Sequence, residues 1–178
     1  MIKRTFLVLF SLIMVFVSAQ TPKIVVAAAK GDIKKVKNRI KKDGINAKSR
    51  TQWFALAYAV NRNDIEMTQM LLENNANVNL RINTKETPLL LAAKYNFNKI
   101  ALLLIKNKAD VQSIDIIQFT PMHWAAKNGN KQLVNLLLEA GANINATNVG
   151  GRTPLDLANS KIINYLKEKG AKKGSELL

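Results

Sequence analysis

Residues 120–146 read TPMHWAAKNGNKQLVNLLLEAGANINA, and they decide the fold because the chain repeats them. Moving 33 residues toward the N-terminus gives TPLLLAAKYNFNKIALLLIKNKADVQS from Thr87, and another 33 gives FALAYAVNRNDIEMTQMLLENNANVNL from Phe54. Moving 33 toward the C-terminus gives TPLDLANSKIINYLKEKGAK from Thr153, four residues short of a full unit. Upstream, VVAAAKGDIKKVKNRIKKDGINAKS carries the same pattern in a degenerate, charged form. Three full repeats are thus flanked by two atypical ones. A fixed period of this size marks units that stack in a row, since no single unit can bury its own apolar stripe.

Each unit has a physical reading. Thr-Pro at 87–88, 120–121 and 153–154 predicts a helix start: threonine caps the first amides, and proline suits the first helical position. A short apolar stretch follows (Leu89, Ala92, Ala93; Met122, Ala125, Ala126), enough for a helix of about two turns. Gly129 closes it in the fourth unit, and Asn63 and Asn96 stand at the same place, asparagine being the next best residue for a left-handed backbone. A second helix runs through Met70-Leu71-Leu72, Leu103-Leu104-Ile105 and Leu136-Leu137-Leu138. A turn-prone segment, Ala-Asn/Asp-Val/Ile-Asn/Gln, ends each unit at 76–79, 109–112 and 142–145. The terminal units need polar outer faces, and they have them: Lys34, Lys35, Lys37, Arg39, Lys41 and Lys42 at one end, Lys167, Lys169, Lys172 and Lys173 at the other.

The run Thr120-Pro121-Met122-His123-Trp124-Ala125-Ala126-Lys127-Asn128-Gly129, followed by Leu137-Leu138-Glu139-Ala140-Gly141-Ala142-Asn143-Ile144-Asn145-Ala146, resembles the ankyrin repeat. The resemblance covers residues 24–172, in units of about 24–49, 50–81, 82–114, 115–147 and 148–172. Departures are local: Phe54-Ala55 replaces Thr-Pro, Leu90 replaces the histidine, and Asn75 and Lys108 replace the second glycine. The resemblance implies an all-α solenoid of helix-turn-helix units joined by short β-hairpins or loops. It also implies a concave surface of hairpin tips and first helices that binds another protein, with no catalytic residue.

Residues 1–19 are expected to be a signal peptide. Lys3 and Arg4 form the positive segment, residues 6–17 (FLVLFSLIMVFV) the apolar one, and Val17-Ser18-Ala19 the small residues before a cut that leaves Gln20 first. Twelve apolar residues fall short of the roughly 20 a membrane-spanning helix needs, although an uncleaved anchor is the alternative. The expected product is an exported monomer, periplasmic or secreted, with no transmembrane segment after cleavage. Residues 20–23 form a short lead-in and 173–178 a tail.

Composition narrows the chemistry. Cysteine is absent, which removes disulfides, thiolate metal sites and cysteine nucleophiles together. His123 is the sole histidine, so neither a catalytic set nor a metal site is expected; it stands at the family's structural histidine and is expected to bond near Thr120. No glycine-rich phosphate loop is present, and no cofactor is expected. The net charge of +15 favours acidic partners or anionic surfaces, while the basic run lacks the interleaved aromatics of a nucleic-acid module.

By resemblance, the partner-binding positions lie in the hairpins and at the ends of the first helices. They are Trp53, Arg62, Glu86, Lys94, Tyr95, Ile116, Ile117, Phe119, Lys127, Asn128 and Arg152. Arginine and aromatic residues are common interface anchors, and Ile116, Ile117 and Phe119 are expected to form an exposed apolar patch. The alternative is that the large aromatics fold back onto neighbouring units. Trp124 is expected in the core. A second candidate is the basic first unit, where nine Lys/Arg between Lys30 and Arg50 face only Asp32 and Asp43. Lys34, Lys35, Lys37, Arg39, Lys41 and Lys42 there form either a solvated cap or a docking site for anionic surfaces. The functional expectation is a non-catalytic scaffold; a secreted effector acting on host proteins and an electrostatic binder of envelope surfaces are the alternatives.

Overall fold

The computed structural model describes residues 21–177. The expected signal peptide, residues 1–19, lies outside them.

Among the described residues the chain forms nine α-helices: α1 (Lys23–Lys30), α2 (Ile33–Asp43), α3 (Ala55–Asn61), α4 (Ile65–Glu73), α5 (Pro88–Lys94), α6 (Asn98–Lys106), α7 (Pro121–Lys127), α8 (Lys131–Glu139) and α9 (Ile163–Glu168). The extended backbone among them amounts to one antiparallel bridge, Lys48 to Phe54. Helices α1, α3, α5 and α7 pack side by side as one layer, and α4, α6 and α8 as a second.

The 33-residue offset reappears as a register of contacts. Met67, Ile100 and Leu133 are each fully buried, as are Leu71, Leu104 and Leu137 one turn later. Subtracting the four missing residues places Ile162 and Leu166 in the same register, and they too are buried. The first helices approach closely because Ala59, Ala92, Ala93, Ala125 and Ala126, all fully buried, keep their facing sides small. Burial of each leucine contributes roughly 1.5–3 kcal/mol, so stacking supplies most of what holds the row together.

The expected helix starts hold at Thr87 and Thr120, whose hydroxyls accept from Leu90 N and His123 N. They fail at Thr153. Pro154 opens a turn over residues 154–157 rather than a helix. The reason is the four-residue deletion together with Asp156, whose Oδ2 accepts from Thr153 N at 2.9 Å, Thr153 Oγ1 at 3.0 Å and Gly174 N at 2.8 Å. The chain must then reach back so that Asn159 N can donate to Ala126 O at 3.0 Å.

The helix ends are closed by left-handed residues, as the Asn/Gly pattern predicts. Asn63, Asn96 and Gly129 have φ of 54°, 64° and 70°; Asn75, Lys108 and Gly141 have 64°, 66° and 83°. Lys108 is the strained member, since a left-handed backbone disfavours a side chain with a Cβ by roughly 1–2 kcal/mol.

Units are also tied by a ladder of polar side chains. Asn46 Oδ1 accepts from Asn77 N at 2.8 Å, Asn79 Oδ1 from Asp110 N at 2.9 Å, Gln112 Oε1 from Asn143 N at 3.2 Å and Asn145 Oδ1 from Lys172 N at 2.8 Å. The last residue of each Ala-Asn/Asp-Val/Ile-Asn/Gln segment therefore fixes the spacing to the next unit.

Candidate functional site

One edge of the row is built from four reversals at residues 49–52, 82–85, 115–118 and 148–151. In each, the residue after the turn shares a short hydrogen-bonded link with the residue at its start: Ser49 N donates to Trp53 O at 2.7 Å, Ile82 N to Glu86 O at 3.0 Å, Asp115 N to Phe119 O at 3.2 Å and Asn148 N to Arg152 O at 3.0 Å. The fourth residue is left-handed each time: Gln52, Lys85, Gln118 and Gly151. Asp115 Oδ1 accepts from Ile117 N at 3.0 Å and Phe119 N at 2.9 Å, and Asn148 Oδ1 does the same for Gly150 N and Arg152 N. A short side-chain acceptor at the turn's first position thereby stands in for a backbone one. The turn residues between are lifted away from the core.

The residue before each helix cap folds back onto its own first helix. Trp53 packs on Tyr58 with ring centroids 4.8 Å apart. Glu86 binds Lys94 Nζ at 2.8 Å and accepts from Thr84 Oγ1 at 2.6 Å. Phe119 stacks on His123 at 5.2 Å and leans on Trp124 at 5.1 Å. Two sequence expectations are corrected here. Phe119 is only 7% exposed and so belongs to the packing, not to the exposed apolar patch. Trp124 is half-buried at the edge of the core rather than within it. Lys94 and Lys127 place their ammonium groups 5.5 Å and 5.1 Å from its ring centroid.

Ile116 and Ile117 do form an apolar step, 60% and 42% exposed. They overlook a pocket of about 210 Å³ whose other walls are Trp124, Lys94, Thr84, Glu86 and Asp115. The Glu86 contact is the leading cause that raises the Lys94 pKa, against the opposing effect of partial burial, so this ammonium stays charged. Tyr95 is exposed, and its ring lies tilted against Phe97 with centroids 5.8 Å apart.

The remaining predicted positions work within the row. Arg62 Nη1 donates to Ala29 O at 3.3 Å, linking the second unit to the first. Asn128 Nδ2 donates to Ala93 O at 3.0 Å and Lys94 O at 3.1 Å, closing the end of α5 from the next unit. Arg152 is exposed, and its carbonyl accepts from His123 Nε2 at 3.1 Å. Glu86 is buried and acts through Lys94. The site that emerges is therefore Ile116, Ile117, Lys94, Lys127 and Trp124, with Tyr95 and Trp53 along the same edge. Lys85 was missed by the sequence reading. It sits exposed at the left-handed tip, and the 33-residue offset from Gln52 and Gln118 was the signal for it.

His123 is structural, as expected. Its Nδ1 meets Thr120 N at 3.1 Å and Thr120 Oγ1 at 2.9 Å. Burial is the leading cause lowering its pKa, partly offset by the bond to Arg152 and the charge of Asp115.

The basic first unit is not gathered into one site. Lys35 and Arg39 line a cleft of about 700 Å³ with Lys23, Lys30 and Val26, while paired at 2.9 Å with Asp32 and 3.8 Å with Asp43 respectively. Lys34, Lys37, Lys41 and Lys42 are separately exposed. Among the described residues no cluster of three or more His, Asp and Glu could hold a metal, and no helix is long and apolar enough to cross a membrane.

A family model described as ankyrin repeats (3 copies) matches residues 24–115 and again residues 103–176. The search of curated proteins returns no match.

Proposed function

Because the chain belongs to the ankyrin-repeat family, whose members are generally protein-interaction modules, we propose that it is a non-catalytic scaffold that holds a protein partner on the edge formed by its turns and first helices. The observation that carries this reading is the Ile116–Ile117 step. Two large aliphatic side chains stand exposed at one turn, held out by the Asp115 side chain and facing a pocket floored by Trp124. Two adjacent exposed isoleucines beside an indole make a contiguous apolar patch of the kind that marks an interaction site. Repeats take up residues 24–176, and a binding scaffold is what such a row of units typically supplies.

Export to the periplasm or the medium is part of the proposal. Its support is the basic, apolar and small-residue order of residues 1–19. Action on host proteins would follow from onward transport and uses the same face.

The test replaces both isoleucines. Ile116→Ser with Ile117→Ser should abolish capture of the partner in a crosslinking pulldown from the producing cell while leaving helical circular dichroism unchanged. Capture at the wild-type level by a folded double variant would refute the reading. A second reading, docking on anionic envelope surfaces, is favoured by the basic cleft of the first unit; binding that survives 0.5 M NaCl is not carried by it.

A further inference from the structure

We infer that the partner segment is an acidic stretch of polypeptide carrying one large apolar side chain, which seats against Ile116, Ile117 and Trp124 while its carboxylates meet the lysines around them. This rests on the protein-binding reading above and adds the partner's chemistry.

Charge is distributed unevenly between the two sides of the row. Residues 49–152 contain seven carboxylates: Asp64, Glu66, Glu73, Glu86, Asp110, Asp115 and Glu139. Asp64, Glu66 and Glu73 belong to α4 and its cap, Asp110 to the loop after α6, and Glu139 to the end of α8, all away from the turns. On the turn edge stand only Glu86 and Asp115. Both are buried, and both are occupied, Glu86 by Lys94 and Thr84, Asp115 by the amides of Ile117 and Phe119. What this edge offers to a partner is therefore cationic: Lys85 at a turn tip, Lys94 and Lys127 beside the indole, and Arg152 in the next unit. Lys94 is already shared with Glu86, but Lys85, Lys127 and Arg152 add positive charge to the same edge, so an acidic segment finds complementarity from the third unit to the fifth that a basic one does not.

The pocket sets the second requirement. At about 210 Å³ it lies below the roughly 300–1,000 Å³ of small-molecule sites and suits a single side chain. The indole of Trp124 is flanked by Phe119 and two lysines, and the two isoleucines beside it offer aliphatic rather than aromatic surface, which suits an apolar side chain better than a stacked base.

The experiment pans a displayed library of random 12-residue peptides against the whole chain at 0.15 M NaCl. The best binders are then remade and titrated against wild type, Ile117→Ser and Lys85→Glu/Lys127→Glu, with a single-stranded oligonucleotide and phosphatidylserine vesicles as parallel probes. Expected are peptides in which Asp and Glu flank a Leu, Ile, Met or Phe. Their affinity should fall at least tenfold in each variant, with circular dichroism unchanged. Neutral or basic peptides that still lose binding in Ile117→Ser would overturn the acidic-partner inference and leave the binding face standing. Peptides indifferent to Ile117→Ser, or no peptide while the oligonucleotide or vesicles bind, would overturn both.

Discussion

His123 is the only histidine in the chain, and it is buried between Thr120 and the Arg152 carbonyl. Burial holds its pKa below the ordinary 6.5. The unfolded chain therefore binds the proton more readily, and stability must fall as pH drops from about 6.5 through the folded value. Asp156 enters only further down: burial pushes it up, but the amides of Thr153 and Gly174 outweigh this and its pKa lies below 3.8. Urea midpoints measured between pH 8 and pH 5 should thus decline as His123 takes up its proton. The chain supplies its own control, since Leu90 holds the equivalent place one unit earlier and is fully buried. His123→Leu should flatten the decline while lowering the midpoint at pH 8, because Thr120 N–H loses its acceptor, at about 1–3 kcal/mol for a buried group left unpaired. A slope that persists in His123→Leu would assign the proton elsewhere. The local role of this histidine was legible in the sequence; the fate of Phe119 was not. Phe119 stands two residues from exposed Ile117 and shares its position with Trp53, Glu86 and Arg152. Their chemical variety reads as surface. In three units the side chain instead folds onto its own helix through whichever contact its chemistry allows, stacking or an ion pair.

At the level of the element, the second helices were readable because a stacked register repeats its buried positions without change. Even the shortened last unit kept Ile162 and Leu166 in place. Its first helix was lost for a reason that a motif does not display: Thr-Pro starts a helix only when enough chain follows to complete it before the next contact. The caps of the second helices show a similar split. Asp32, Asp64 and Asn130 each accept from the amide three residues on, whereas Phe97 caps nothing. Asn130 also donates to Asn96 Oδ1 at 2.9 Å and Asn98 Oδ1 at 2.6 Å in the previous unit. It therefore serves both the helix and the stack. Asn130→Ala should destabilise the protein by about 0.5–2 kcal/mol, the usual range for a lost cap, read as a lower urea midpoint. Asn130→Asp keeps the acceptor for Leu133 N but removes the donor, and should recover only part of that loss. Full recovery would mean that the inter-unit bonds contribute nothing.

Across the whole molecule, charge works against folding and, on the proposed face, for binding. The net charge is +15, from 27 Lys and Arg against 12 Asp and Glu, and the ion pairs among the described residues include Lys35–Asp32, Arg39–Asp43 and Lys94–Glu86. A chain with so large an excess of one charge is held together against its own repulsion. Salt screens that repulsion over about 10 Å at 0.1 M. Raising NaCl from 0.02 M to 0.3 M should therefore raise the thermal midpoint, by roughly 2–4 °C for each kcal/mol recovered in a protein of this size. The same salt screens the lysines of the turn edge, so binding of an acidic peptide should weaken over the same range. The two responses must have opposite signs if the basic composition serves recognition rather than the fold. Ile116→Ser with Ile117→Ser should leave the first response intact and remove the second, because the step carries no charge and lies outside the core. A thermal midpoint indifferent to salt would mean that the lysines are spaced widely enough not to repel. Peptide binding indifferent to salt would place the affinity in the apolar step alone.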